Sequence, residues 1–240
     1  MITSRDNPRL KLVRRLESRR QREKLGLFVA EGEDLVEAAL DAGLEPFEAL
    51  VDAERPALAE RLPHAETVDP KLLAEVSSLA HAARVLAVFR RDSLPRVGEA
   101  APGLGLALWH VSDPGNVGTI LRTADAFGAF VALSHGCGDP TNPKAVRASM
   151  GAVFRVPTTG FDDAPGRRVA LATRGAPPLH ELELDGPTTF VLGAEREGLP
   201  PEIAAACSAQ ASIPLAGHAE SLNVAAAGAV ALYEARRRRS

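Results

Sequence analysis

Cysteine is close to absent from this sequence: Cys137 and Cys207 are the only two in 240 residues, and neither sits in a CxxC pair or beside a histidine cluster. A disulfide-stapled scaffold is excluded, and both read as core or loop thiols in a reducing cytosol. The six histidines show no metal-ligand spacing, so no metal is expected. An apolar run of about 18 residues and a signal peptide are both lacking, which points to a cytoplasmic protein with no membrane partner. Also missing are the GxxxxGK(S/T) phosphate loop, a GxGxxG followed by an acid about 20 residues on, and the GxSxG elbow. A nucleotide triphosphatase and a nicotinamide enzyme are therefore disfavoured. The net charge of −3 does not suit a chain that is basic throughout.

What is present is uneven charge and a regular alternation. Residues 1–24 carry nine Lys or Arg against three acids, residues 31–75 thirteen acids against three bases, and the chain ends in Arg236-Arg237-Arg238-Arg239. Two readings stand: basic ends that meet phosphate, or a solvated helix face and a frayed charged terminus. Segment 93–105, with two Pro and three Gly, marks a linker. Before it, a basic helix over 6–24, strand LFVA, a helix over 32–42, strand FEALV, a short helix at 55–62, AETV, a helix from Asp69 and strand VLAVF imply a small α/β/α domain over 1–92. After it, strands at 106–111, 130–134, 153–156, 168–173, 189–193 and 210–213 alternate with helices at 117–127, 143–149, 200–207 and 221–237. That is an α/β domain over 106–240 with a mostly parallel sheet. Runs such as TFVLG are apolar at successive positions, as strands buried on both faces are.

Three segments of the second domain each follow a strand and lead into a helix: Asp113 to Ala129, Val191 to Leu199 and Ile213 to Ala229. In open α/β sheets ligands bind beyond the carboxyl ends of the strands, so the three imply one crevice. Only four Asn occur in the chain, yet Asn116 and Asn223 both fall here. Asn116 lies near a helix start, where it either caps the helix or serves a site. Arg122 either clamps a phosphate bidentately or pairs with Asp125 at i+3. Glu195 sits in a turn closed by Gly198. Ser221 is the expected N-cap of the last helix, with Asn223 at its second position and free for another task. The small residues from Val224 to Ala231 suit close helix packing, of which a subunit interface is one use.

At these residues the chain resembles the SpoU (TrmH-like) branch of the SPOUT RNA methyltransferases. The first motif runs through Asn116-Val117-Gly118 and Arg122-Thr123-Ala124-Asp125-Ala126-Phe127-Gly128-Ala129. The second is Leu192-Gly193-x-Glu195-x-x-Gly198-Leu199, and the third runs from Ile213-Pro214 through Ser221-Leu222-Asn223-Val224. A connecting piece, Ala148-Ser149-x-Gly151-Ala152-x-Phe154-Arg155-x-Pro157, is similar as well. Ile2-x-Ser4-x-x-Asn7-Pro8 and Gly26-Leu27-Phe28-Val29-x-Glu31-Gly32 resemble the small RNA-binding domain that precedes many members. Two positions depart from the pattern: Ala194, where Asn or Ser often stands, and His81-Ala82-Ala83-Arg84 in place of Gln-Gly.

The resemblance implies a C-terminal α/β trefoil-knot domain, usually in a homodimer. It implies S-adenosylmethionine as cofactor and a ribose 2′-hydroxyl of structured RNA as acceptor, ribosomal RNA first and transfer RNA as the rival. By position, Leu192, Gly193, Ile213, Leu215, Leu222 and Asn223 would bind the cofactor. Asn116, Arg122, Glu195, Ser221 and Asn223 would form the catalytic surround. A non-catalytic RNA-binding factor with the same fold is the alternative from another class, disfavoured by the presence of Asn116, Arg122, Glu195 and Asn223 together.

Overall fold

The computed structural model describes residues 1–62, 64–79, 81, 83–172 and 175–239. Two positions of the sequence reading, Ala82 and the strand residue Thr173, lie outside these. The chain forms two compact units, one of Met1–Leu94 with Asp139–Arg155, the other of Pro95–Gly138 with Val156–Ser240.

The first unit runs α1 (Pro8–Leu16), α2 (Arg19–Leu25), β1 (Leu27–Glu31), α3 (Glu33–Asp41), β2 (Glu48–Asp52), α4 (Ala57–Glu60), β3 (Glu66–Val68), α5 (Pro70–Val76) and β4 (Val85–Arg90). The sheet order is β1-β4-β2-β3. Side chains alternate across it. One face, with Leu27, Val29, Leu50, Leu86 and Val88, packs on Leu10, Val13 and Leu16 of α1 and on Leu72, Leu73 and Val76 of α5. On the other face Phe28 and Phe89 lie 6.1 Å apart, each about as far from Phe154 of the downstream segment.

The helix expected over 6–24 is two helices. Ser18 is extended (φ −79°, ψ 126°), and the carbonyls of Leu16 and Glu17 left open at the break accept from Arg22 Nη1 at 2.8 and 2.7 Å. The rest of the Arg22 guanidinium, buried, holds Asp139 Oδ2 through Nε at 2.9 Å and Nη2 at 2.8 Å. Burial acts to raise the Asp139 pKa, but bonds from Thr141 and the charges of Arg91 and Arg22 leave it lowered. Deleting Asp139 would strand the buried Arg22 charge, at a cost of about 3–5 kcal/mol. Most other bases of residues 1–24 are neutralised locally: Arg9 by Glu48 and Glu66, Arg5 and Arg14 by Glu75, Lys11 by Asp6 and Arg19 by Glu23. The acidic stretch thus answers the basic one, and Arg15, Arg20 and Lys24 are left with no carboxylate partner among the described residues.

The second unit contains β5 (Leu104–Leu108), α6 (Pro114–Phe127) and β6 (Phe130–Leu133). The chain then contributes α7 (Pro143–Ser149) to the first unit. It returns as β7 (Thr158–Gly160), β8 (Arg167–Ala172), β9 (Thr188–Leu192), α8 (Pro201–Ala205), β10 (Ala209–Ser212) and α9 (Val224–Arg239). The six strands are all parallel, in the order β10-β8-β9-β5-β6-β7. The strand expected at 153–156 is instead a 3₁₀ turn, Ala152–Phe154, because Met150 and Gly151 are both left-handed and carry Phe154 into the aromatic cluster. The strand expected over 106–111 ends at Leu108, since His110 is left-handed at φ 53°.

Four helices begin at an Asn-Pro or Asp-Pro pair. Asn7-Pro8, Asp69-Pro70, Asp113-Pro114 and Asn142-Pro143 each supply a capping side chain and then a proline whose missing N–H costs nothing there. The final helix uses its small residues within the chain: Ala225, Gly228, Ala231 and Ala235 are buried, together with Val224 and Leu232. A Cβ on Gly228 would stand 3.1 Å from Leu106 and 3.2 Å from Leu192. Its Arg run is neither frayed nor free. Arg236 donates to the carbonyl of Phe127 at the end of α6, Arg238 to Leu182, and Arg239 to Gly103 and Leu184. Glu234, bonded to Arg237 and Arg238, is lowered to a pKa of about 2.

Gly228→Val should therefore push α9 off β5 and β9, lowering the melting temperature by about 4–8 °C through ~1–3 kcal/mol of overpacking. Gly228→Ala should stay within ~2 °C of wild type, because its helix-propensity gain of about 1 kcal/mol offsets the tighter contact. Equal effects of the two, read by calorimetry, would contradict this packing.

Candidate functional site

The three glycine-bearing segments meet at the carboxyl end of the second unit's sheet. Between the second and third lies a cavity of about 520 Å³, lined by the ends of β8 and β9 and by the loops that follow Leu192 and Ile213; the first segment, with Asn116 and Arg122, contributes none of its lining. All six residues expected to hold a cofactor, Leu192, Gly193, Ile213, Leu215, Leu222 and Asn223, line it, as do Glu195 and Ser221. Leu215 and Leu222, 36% and 39% exposed, are among the few large apolar side chains left open to solvent, and both face this one space.

Local sequence explains the walls. A Cβ on Gly193 would overlap the backbone of Gly198 and Leu199, so only glycine lets the following turn fold back. The turn closes with the Gly198 N–H on the carbonyl of Ala194 at 2.9 Å, and Gly198 is itself left-handed. Ala194 contributes only backbone to this closure, so the departure at that position leaves the turn intact.

The helix caps differ from expectation, and the difference defines the site. Asp113 caps α6 through the Asn116 N–H at 3.0 Å, which makes Asn116 the third helical residue and leaves its side chain uncommitted. For α9 the cap is Asn223, not Ser221: its Oδ1 accepts from the N–H groups of Ala225 at 2.9 Å and Ala226 at 3.4 Å. Asn223 Nδ2 then donates to Asn116 Oδ1 at 3.1 Å, and Asn116 Nδ2 donates to Glu195 Oε1 at 2.9 Å. Helix N–H groups only donate and an ionised carboxylate only accepts, so the orientation of both amides is set from its two ends. One relay ties the three segments together.

Arg122 stands apart. It is exposed on α6, absent from the cavity lining, and without a hydrogen bond or ion pair to Asp125 or any other described residue. Ser221 lines the cavity but caps nothing. Leu171 and Ala172, at the end of β8, and Arg196 and Glu220 also line it and went unnoticed in the sequence, while Val224 and Ala227, read there only for a motif and for helix packing, line it as well. Leu171 and Ala172 become visible only once β8 is known to neighbour β9.

The chain matches known proteins along its length. Residues 103–233 match the SpoU rRNA methylase family, and residues 7–87 match the MRM3-like substrate-binding domain. The 23S rRNA (guanosine(2553)-2′-O)-methyltransferase of Bacillus subtilis is 30% identical, covering 98% of each chain. The 23S rRNA (uridine(2479)-2′-O)-methyltransferase of Streptomyces viridochromogenes is 32% identical over 93% of this chain and 87% of its own. An AdoMet-bound rRNA methyltransferase from Sinorhizobium meliloti superposes with a TM-score of 0.85 at 33% identity, covering 99% of this chain and 97% of its own. By sequence over both parts and by structure, this chain belongs to the SpoU rRNA methylase family of SPOUT (α/β trefoil-knot) methyltransferases.

Proposed function

We propose that the protein transfers a methyl group from S-adenosylmethionine to a ribose 2′-hydroxyl of ribosomal RNA in the cytoplasm, working as a homodimer. The observation that carries this reading is the cavity at the carboxyl strand ends whose wall is pinned by the Glu195–Asn116–Asn223 relay. Its volume of about 520 Å³ falls in the range of cofactor pockets. Exposed Leu215 and Leu222 suit an adenosine and a methionine chain, while Glu195 and Glu220 suit a cationic sulfonium.

When bound, S-adenosylmethionine supplies an electrophilic methyl on sulfur. The chain's own contribution is position and a path for one proton, since much of such catalysis is alignment. The 2′-hydroxyl must lose its proton as it attacks. Arg122 is always protonated and cannot take it, whereas Glu195 is held at Oε1 by Asn116 and keeps Oε2 open among the described residues. We assign Glu195 as the acceptor, directly or through water, and Arg122 as a clamp on the RNA phosphate. Dimerisation rests on α9, where Val230 and Tyr233, 40% and 57% exposed, form an apolar stripe one turn apart. The family does not dictate the base, because the two relatives above act on guanosine and on uridine.

Tritiated methyl transfer onto unmodified ribosomal and transfer RNA, with mapping of the product, tests the reading; no transfer to either, or transfer to a base atom, would overturn it. Asn223→Asp keeps a good cap but cannot donate to Asn116. It should cut transfer about tenfold or more, the loss of roughly 1.4 kcal/mol, while leaving the melting temperature within ~2 °C. Loss of stability with normal specific activity would make Asn223 a cap alone. Arg122→Lys, which retains charge but not the bidentate fork, should raise KM for RNA about tenfold with little change in donor affinity; near-normal KM would remove the clamp. Sedimentation should show a dimer that Tyr233→Glu converts to monomer, and a monomeric wild type would refute the interface.

A further inference from the structure

A second concavity, of about 340 Å³, lies at the carboxyl ends of β5, β6 and β7. It sits on the same sheet edge as the donor cavity, and one rung joins the two: the Trp109 N–H donates to the carbonyl of Leu192, a donor-cavity residue, at 2.8 Å. Its wall is aromatic. The Trp109 and His110 rings stack at 4.8 Å with 6° between their planes, and Phe161 meets the indole edge-on at 5.1 Å. Holding His110 left-handed costs roughly 1–2 kcal/mol for a residue with a Cβ. That strain is maintained by Ser134, whose Oγ accepts the His110 N–H at 3.0 Å. The opposite rim carries Asp162 and Asp163, exposed, with no partner for either carboxylate among the described residues.

Nothing in the relay or the donor cavity uses these groups. Two carboxylates repel phosphate, so the occupant does not enter backbone first. It must bring a flat apolar face for the wall and hydrogen-bond donors for acceptor-only carboxylates. A nucleobase splayed from single-stranded RNA has both, and aromatic packing with readout of the Watson–Crick edge is the usual way proteins take one. Among the four bases, guanine alone presents two adjacent donors, N1–H and the N2 amino group, matching one carboxylate bidentately. Adenine and cytosine set one donor beside an acceptor, and uracil sets one between two acceptors. Resting on the methyl-transfer reading above, we propose that this pocket binds a guanine of the substrate RNA at or beside the methylated nucleotide, with Asp162 or Asp163 reading its N1–H and N2–H.

Trp109 is the only tryptophan in the chain, so its fluorescence reports on this wall alone. The experiment titrates the full-length protein, saturated with S-adenosylhomocysteine, with single-stranded pentaribonucleotides CCXCC in which X is G, A, C or U. Saturable quenching by X = G should be about tenfold tighter than by the others, the scale of one bidentate base contact. It should vanish in Asp162→Asn/Asp163→Asn, whose affinity for S-adenosylhomocysteine stays at the wild-type value. Equal quenching by all four oligomers, none by any, or undiminished quenching in the double variant would overturn the proposal while bound S-adenosylhomocysteine leaves the methyl-transfer reading standing. Failure to bind S-adenosylhomocysteine would instead overturn that reading and this assignment with it.

Discussion

The side-chain amide of Asn223 faces two ways, and the second unit is organised around that. Its oxygen satisfies the first N–H groups of α9 while its nitrogen holds Asn116, which in turn holds Glu195. Because helix N–H groups and a carboxylate terminate the chain, neither amide can flip without setting donor against donor or acceptor against acceptor. A helix start, a strand-end turn and the first turn of α6 thereby share one hydrogen-bond network. Such networks rigidify a site when every member is satisfied. Close seating of α9 at Gly228 places that amide where the loops can reach it.

The first unit relies on a different constraint, a buried ion pair. Arg22 and Asp139 are 117 residues apart in sequence, and their contact joins the segment from Asp139 to Arg155 to the first sheet. The same guanidinium closes the break between α1 and α2, so one side chain answers the Leu16 and Glu17 carbonyls as well as Asp139 Oδ2. Local pairing of Arg9, Arg14 and their neighbours with Glu48, Glu66 and Glu75 leaves little uncompensated positive charge in the region that reads as most basic.

Much of this was legible in the chain. The alternation of apolar runs and caps located nearly every strand and helix, because strands buried on both faces and helices opened by Asx-Pro leave strong local marks. Half of the residues that line the cavity at the strand ends were legible too, through the second and third motifs. Tertiary competition defeated the rest. Phe154 reads as a strand residue, yet the first unit's aromatic cluster claims it, and the strand begins only at Thr158. Ser221 and Asn223 both suit a cap, and spacing cannot tell which backbone will turn. The scarcity of Asn was half a clue, since Asn7, Asn142 and Asn223 all cap helices and only Asn116 does not. The pair Trp109-His110 gave no signal, because the left-handed backbone that ends β5 there depends on Ser134, distant in sequence.

The relay makes Asn116 and Asn223 one unit in the proposed methyl transfer rather than two independent contacts. A double-mutant cycle measures that directly. With Asn116→Ala, Asn223→Asp and the double variant compared by kcat/KM for tritiated methyl transfer to RNA, the double variant should be no slower than the slower single one. Losses that multiply across the two positions would contradict it.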